Sequence, residues 1–224
     1  MKYRVLLFGR KNDVSTENLK NFLIKKFLYV KVLYSENQKK QSFKNQIKNW
    51  KGDFIFSFRS KYILKRDLLK KVKYSSINFH PGPPEYRGIG CLNFAVLNGT
   101  KSYGVTAHLI NSKIDAGHIL KVKRFKIGKN ETLNDILNKT HKELFDISKE
   151  IISICYKKPN IKQYITKIKW SKKIYTKKDL DNLYRIDKRS SYSRMKKIIR
   201  ATQYKNFKPY IKVKKFKFTL DENR

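Results

Sequence analysis

Over its first eighty residues the chain alternates short apolar runs with segments of helical spacing, and this alternation restricts the fold more than any other feature. Residues 3–9 (YRVLLFG) form an apolar run closed by Gly9, the pattern of a strand buried on both faces. Ser15 or Thr16 is placed to cap a helix carrying Leu19, Phe22, Leu23 and Phe27. Residues 29–34 alternate as a strand, 41–50 read as a polar helix and 53–58 (DFIFSF) as another buried strand. Residues 64–72 then read as a helix, and 76–79 as a strand running into His80. Repeated strand–helix units of this length predict an α/β fold with a doubly wound, mainly parallel sheet. Ligands bind such sheets at the carboxyl ends of the strands. Gly9-Arg10, Phe58-Arg59-Ser60 and Asn78-Phe79-His80 all fall there, so three polar clusters are expected on one edge.

Beyond His80 the pattern changes. A short helix is expected over 90–97, a strand over 103–110, a polar loop over 111–117 and a second strand, paired with the first, over 118–127. Residues 132–156 form a long amphipathic helix, ended by Pro159. Residues 1–168 are therefore read as one main domain, and 169–224 as a small C-terminal appendage. That tail, of roughly fifty residues, is too small to fold alone and should pack on the main domain. Within it, helices are expected over 176–183 and 195–202, and one alternating strand over 209–220.

Charge narrows the function less than its size implies. The net charge of +37 comes from 54 basic and 17 acidic residues, the balance of a nucleic-acid binder. However, 43 of the basic residues are Lys and only 11 are Arg, whereas phosphate recognition favours the Arg fork. The accompanying wealth of Asn, Ile, Tyr and Phe points to AT-rich coding rather than selection for basicity. Between Ser75 and Leu120 the charged residues are Arg87, Lys101 and Lys113 against Glu85 and Asp115, so that stretch is nearly neutral. Lysine has accumulated on its flanks. Cys91 and Cys155 form no CxxC pair, no apolar run reaches membrane-spanning length, and a cytoplasmic protein without a membrane partner is expected.

The chain carries no GxGxxG, GxxxxGK[ST] or GxSxG element, which weighs against dinucleotide, phosphoryl-transfer and acyl-hydrolase chemistry. The loop 81–90, PGPPEYRGIG, holds three Pro and three Gly, a composition that fixes whatever it presents. Asn78 and His80 enter it directly from a buried strand. Asp115 lies in the loop between two expected strands. His108 and His118 stand nearby, so a zinc site with Asp115 is an alternative, although the spacing matches no common metal motif and none is expected.

The run INFHPGPPEYRG followed by YGVTAHLINSKIDAGHIL resembles the folate-dependent formyltransferase family, closest in appearance to its sugar N-formyltransferases. The shared pattern is Asn-x-His after a strand, a Pro-rich loop, GVT-x-H and an Asp-x-Gly loop. The resemblance implies a Rossmann-like formyltransferase fold and 10-formyltetrahydrofolate as cosubstrate. It implies Asn78, His80 and Asp115 as the catalytic trio, with the general base left open between His80 and Asp115. It implies a folate site from Phe58, Arg59, Ser60, Tyr62 and Ile63, closed over by Ile114, Ala116 and Gly117. Arg10, Lys61, Pro81, Gly82, Tyr86 and Arg87 are candidate contacts to the acceptor. The sequence departs from the family where Gly82-Pro83-Pro84 follows His80-Pro81, which changes the shape of that loop.

The tail, with Arg200-Ala201-Thr202 and Phe207-Lys208-Pro209-Tyr210, resembles the short appendage of sugar N-formyltransferases. The implied acceptor is a nucleotide-linked amino sugar. Methionyl-tRNA is the runner-up, and a non-catalytic basic RNA-binding protein on the same fold is the alternative from another class. A homodimer is compatible with the resemblance.

Overall fold

The computed structural model describes residues 2–36 and 43–220. Strand β1 (Lys2–Arg10) is buried from Val5 to Gly9, as its unbroken apolar run requires. Helix α1 (Val14–Ile24) is capped by Asp13, whose carboxylate accepts from the Thr16 N–H at 3.0 Å. The expected caps, Ser15 and Thr16, are instead in its first turn. Phe27 opens β2 (Phe27–Ser35) rather than extending the helix. Of the helix expected over 41–50, residues 41 and 42 lie outside the described residues, and α2 (Lys44–Ile47) is one turn. After β3 (Gly52–Phe58), α3 (Arg66–Leu69) is shorter than the expected 64–72, because Val72 already belongs to β4 (Val72–His80).

A two-residue strand, β5 (Arg87–Gly88), precedes α4 (Cys91–Leu97), β6 (Ser102–Leu109), β7 (Ile119–Lys126) and the long α5 (Leu133–Lys157). A capping box between Thr132 and Asp135 starts α5, each satisfying the other's backbone N–H. The tail adds β8 (Ile174–Tyr175), α6 (Lys177–Tyr184), β9 (Arg185–Ile186), α7 (Tyr192–Thr202), β10 (Tyr210–Val213) and β11 (Phe216–Thr219). The single strand expected over 209–220 is thus a hairpin. It turns at Lys214, whose φ of 50° does work usually left to Gly or Asn, so the turn carried no compositional mark.

The main sheet runs β2-β1-β3-β4-β6-β7. Its first four strands are parallel and the last two antiparallel, so the carboxyl end of β4 lies beside the start of the β6–β7 hairpin. One face is covered by α1 and α5 over a core that includes Phe54, Phe56, Phe58, Phe79, Leu144 and Ile151. The other face packs Leu6, Phe8, Ile55, Trp50 and Leu68. Helix α4 is bedded against the tail through Phe94, which stacks on Tyr175 at 4.0 Å, and through contacts with Leu183, Ile186 and Ile198. Among the described residues no helix is long and apolar enough to cross a membrane.

Candidate functional site

Strand β4 sets the geometry. Successive side chains of a strand point to opposite faces, so Phe79 enters the core under α5 while Asn78 and His80 share the other face. Antiparallel pairing puts His108 of β6 directly opposite Asn78. The Asn78 amide nitrogen lies 3.1 Å from His108 Nε2, and His108 Nδ1 lies 2.8 Å from the Leu109 carbonyl oxygen.

Asp115 arrives from the loop between β6 and β7 with φ of 42°, a left-handed conformation that a non-glycine residue holds only when its surroundings impose it. One carboxylate oxygen lies 3.4 Å from His80 Nδ1 and the other 3.5 Å from His108 Nε2. The Gly88 N–H donates to the first at 3.1 Å. Burial alone would raise the pKa of this carboxyl. The adjacent charge of His80, the hydrogen bond and charge of His108 and the Gly88 N–H outweigh it and hold Asp115 well below the usual carboxylate range. His80 Nε2 meets the Tyr86 carbonyl at 3.0 Å. Both partners of the His80 ring are acceptors, so each ring nitrogen satisfies its partner only by donating.

These groups form one wall of a cavity of about 320 Å³. The opposite wall is the loop after β3. Arg59 begins it with φ of 55° and is tied to Asp13 at 2.6 Å. Ser35 anchors it from β2, its hydroxyl accepting the Lys61 N–H at 2.8 Å. Tyr62 stacks on Phe8 at 5.3 Å, and Ile63 is left 54% exposed at the rim, facing solvent as do Ile114 at 55% and Ile89 at 40%.

Of the residues singled out in the sequence, Arg59, Ser60, Lys61, Tyr62, Ile63, Asn78, His80, Pro81, Ile114 and Asp115 line this cavity. Phe58 lies beneath it in the core. Ala116 and Gly117 turn the chain behind Asp115 and do not line it, and neither does the exposed Arg10. Gly82 packs under His80, where an added Cβ would sit 2.7 Å from Nε2. The Tyr86 hydroxyl is taken by Thr100 at 2.7 Å, and the Arg87 guanidinium by the carbonyls of Ile114 at 2.8 Å and Ser171 at 3.2 Å. His118 is exposed, and among the described residues no three His, Cys, Asp or Glu side chains are grouped to hold a metal.

Sequence reasoning passed over Ser57, Ile89, Ile110 and residues 111–113, which also line the cavity, and Trp170, whose ring stands edge-on to His108 at 5.0 Å and His80 at 5.7 Å. No local pattern marks Trp170, because it reaches the site from the tail.

Residues 3–149 match the family described as Formyl transferase. Among curated relatives, the chain is 37% identical over 111 residues to the bifunctional polymyxin resistance protein ArnA of Wigglesworthia glossinidia brevipalpis, covering 49% of this chain and 17% of that protein. It is 36% identical over 104 residues to a methionyl-tRNA formyltransferase of Clostridium novyi, covering 45% of this chain and 34% of that protein. The matches thus span 17% and 34% of these two relatives. Among solved structures, a 4-N formyltransferase from Francisella tularensis superposes with a TM-score of 0.76 at 23% identity, over 97% of this chain and 96% of that one. An N-formyltransferase from Helicobacter canadensis, in complex with folinic acid and dTDP-3-aminofucose, superposes with a TM-score of 0.68 at 21% identity, over 90% of this chain and 80% of that one. These likenesses establish a shared fold.

Proposed function

The chain belongs to the formyl transferase family, and from that premise we propose that it moves a formyl group from 10-formyltetrahydrofolate to the amine of a nucleotide-linked amino sugar. The observation that carries the reading is the convergence of Asn78, His80 and Asp115 on one wall of a cavity whose rim is apolar on both sides. Ile63 and Ile114 would hold the flat folate ring, with residues 110–113 beside it. In this reading residues 1–168 are the catalytic unit and 169–224 an appendage.

Bound in the cavity, the folate supplies an activated formyl carbon. The acceptor amine attacks that carbon, the bond to the folate nitrogen breaks, and the proton lost by the amine ends on that nitrogen. Negative charge develops on the formyl oxygen. The Asn78 amide, 3.1 Å from His108, is placed to donate to it. His80, held between the Tyr86 carbonyl and Asp115, lies beside Asn78 on the same face of β4. Asp115 orients that ring and, through water, can pass the proton.

The sugar acceptor is supported by the dTDP-amino sugar bound to the Helicobacter protein and by superposition over nearly the whole chain, tail included. Methionyl-tRNA is the second reading, favoured by the curated tRNA relative. The test is folate-dependent formylation across a panel of amino-sugar nucleotides and charged initiator tRNA. Loss of one oxyanion donor costs roughly 10²–10³-fold in turnover, so Asn78→Ala and His80→Ala should fall by that much with the fold intact. Near-normal transfer by either variant refutes the site. Transfer to tRNA alone refutes the sugar acceptor.

A further inference from the structure

We propose that Trp170 and Arg87 are positioning residues that clamp the Asp115 loop from outside the cavity, so that a segment of the tail holds the catalytic carboxylate in place. The inference rests on the reading of Asp115 given above. Asp115 sits in a left-handed conformation that its neighbours must impose. The peptide carbonyls on either side of it are each held by a side chain that does not line the cavity. The Arg87 guanidinium donates to the Ile114 carbonyl at 2.8 Å, and the Trp170 indole N–H donates to the Gly117 carbonyl at 2.8 Å.

The two clamps are also tied to each other. A second Arg87 nitrogen donates to the Ser171 carbonyl at 3.2 Å, and the guanidinium lies 5.9 Å from the Trp170 ring. The Ser171 N–H donates in turn to Pro84 at 3.0 Å, which closes the tail segment onto the Pro-rich loop. The Trp170 ring is edge-on to both imidazoles that face Asp115. It therefore covers the cluster on the side away from the cavity and limits the water that could screen it. Trp170 lies beyond the family match at residues 3–149, so this chain completes its site with residues that the matched segment does not contain.

The charged and titratable groups around Asp115 are His80 from β4, Arg87 from β5, Cys91 from α4 and His108 from β6. Loosening the clamp lets the carboxylate withdraw from the two imidazoles without removing any of them. Trp170→Phe keeps an aromatic ring at that position and deletes the N–H. Arg87→Lys keeps the charge and loses the two-pronged hold, with the indole bond untouched.

The experiment measures steady-state formyl transfer against pH, together with the imidazole proton resonances of all four histidines. Both variants are expected to lose roughly tenfold in kcat, with KM for folate and acceptor within about twofold. The pH profile of kcat/KM should change as well, because the carboxylate no longer stands against the two imidazoles. The His80 and His108 resonances should shift, while that of His141, on α5, stays as an internal control. Folded variants with wild-type kcat, pH profile and His80 and His108 resonances overturn the proposal, as does a loss of rate that only tracks the folded fraction. Asn78→Ala and His80→Ala, run alongside, separate the two readings. If these are inactive while the clamp variants are normal, only the clamp fails; if they are active, the site itself is wrong. The resonances report on the clamp in either case.

Discussion

Replacing Gly117 by Ala tests how tightly the fold holds the site. The Gly117 Cα faces the Leu109 carbonyl so closely that an added Cβ would lie 1.6 Å from its oxygen, whereas real Cβ contacts stay beyond 3.0 Å. The gap must therefore open by at least about 1.4 Å, and the neighbour is backbone rather than a flexible side chain. Only two movements can supply that. If the end of β6 retreats, the Leu109 carbonyl leaves His108 Nδ1 and the imidazole loses the bond that orients it. If the loop retreats, Gly117 leaves Trp170 and carries Asp115, two residues away, off its contacts. Misplacement of about 1 Å in a catalytic group can cost roughly 10²-fold in rate. Overpacking of this kind costs about 1–3 kcal/mol, a fall in Tm of several degrees for a domain of this size. The control is Gly99→Ala. Its φ of 66° makes any side chain strained, but nothing lies within 4 Å, so it should lose about 1–2 kcal/mol with activity unchanged. The assay compares kcat/KM for formyl transfer and Tm for both variants. Gly117→Ala with activity within about threefold of wild type would refute the claim that the Leu109–Gly117 contact fixes Asp115.

Two further outcomes are expected. Burial, then the charges of Arg59 and Arg10, push the His141 imidazole down to about 4 against the opposing pull of Asp13. The folded state thus leaves His141 neutral where the unfolded chain protonates it, and stability should be lost as pH falls from about 6.5 towards 4. At about 1.4 kcal/mol per unit the full effect approaches roughly 3 kcal/mol; the ring is partly exposed, so about 1–2 kcal/mol is expected. His141→Gln should flatten that slope in urea denaturation between pH 6.5 and 4.5, and an unchanged slope would remove the assignment. Tyr103 is fully buried, and its hydroxyl donates to the Pro81 carbonyl at 2.9 Å. Tyr103→Phe leaves that carbonyl only the weak Cys91 thiol at 3.4 Å, and should cost about 1–2 kcal/mol in thermal or denaturant unfolding.

Much of the fold was legible in one dimension. The runs at 3–9 and 53–58 could only be buried strands, and period-two alternation put Asn78 and His80 on one face of β4. That residues 59–63 stand at the ligand edge of the sheet was legible from the end of β3, because chain direction alone decides which end of a parallel strand faces that edge. The sequence also spared one nearly neutral stretch from its lysine excess, and the cavity wall formed by Asn78, His80, His108 and Asp115 lies within it. Local marks failed where a nonlocal contact outweighed propensity. Lys214 turns a hairpin without glycine, and the 64–72 helix shrinks to Arg66–Leu69 because Val72 is claimed by β3 pairing.

Tertiary structure alone decided how the site is held. Tyr86 and Arg87 read as acceptor contacts because they are polar and central to a rigid loop. In the folded chain the Tyr86 hydroxyl pairs with Thr100, and Arg87 spans to Ile114 and Ser171, 27 and 84 residues away. His108 became a partner of Asn78 through the antiparallel register of β4 and β6, and Trp170 closed over both imidazoles from the tail. Sequence spacing carries the period of a strand and the order of the elements. It carries no record of which distant carbonyl a guanidinium or an indole N–H will meet, since that is set only when the layers pack.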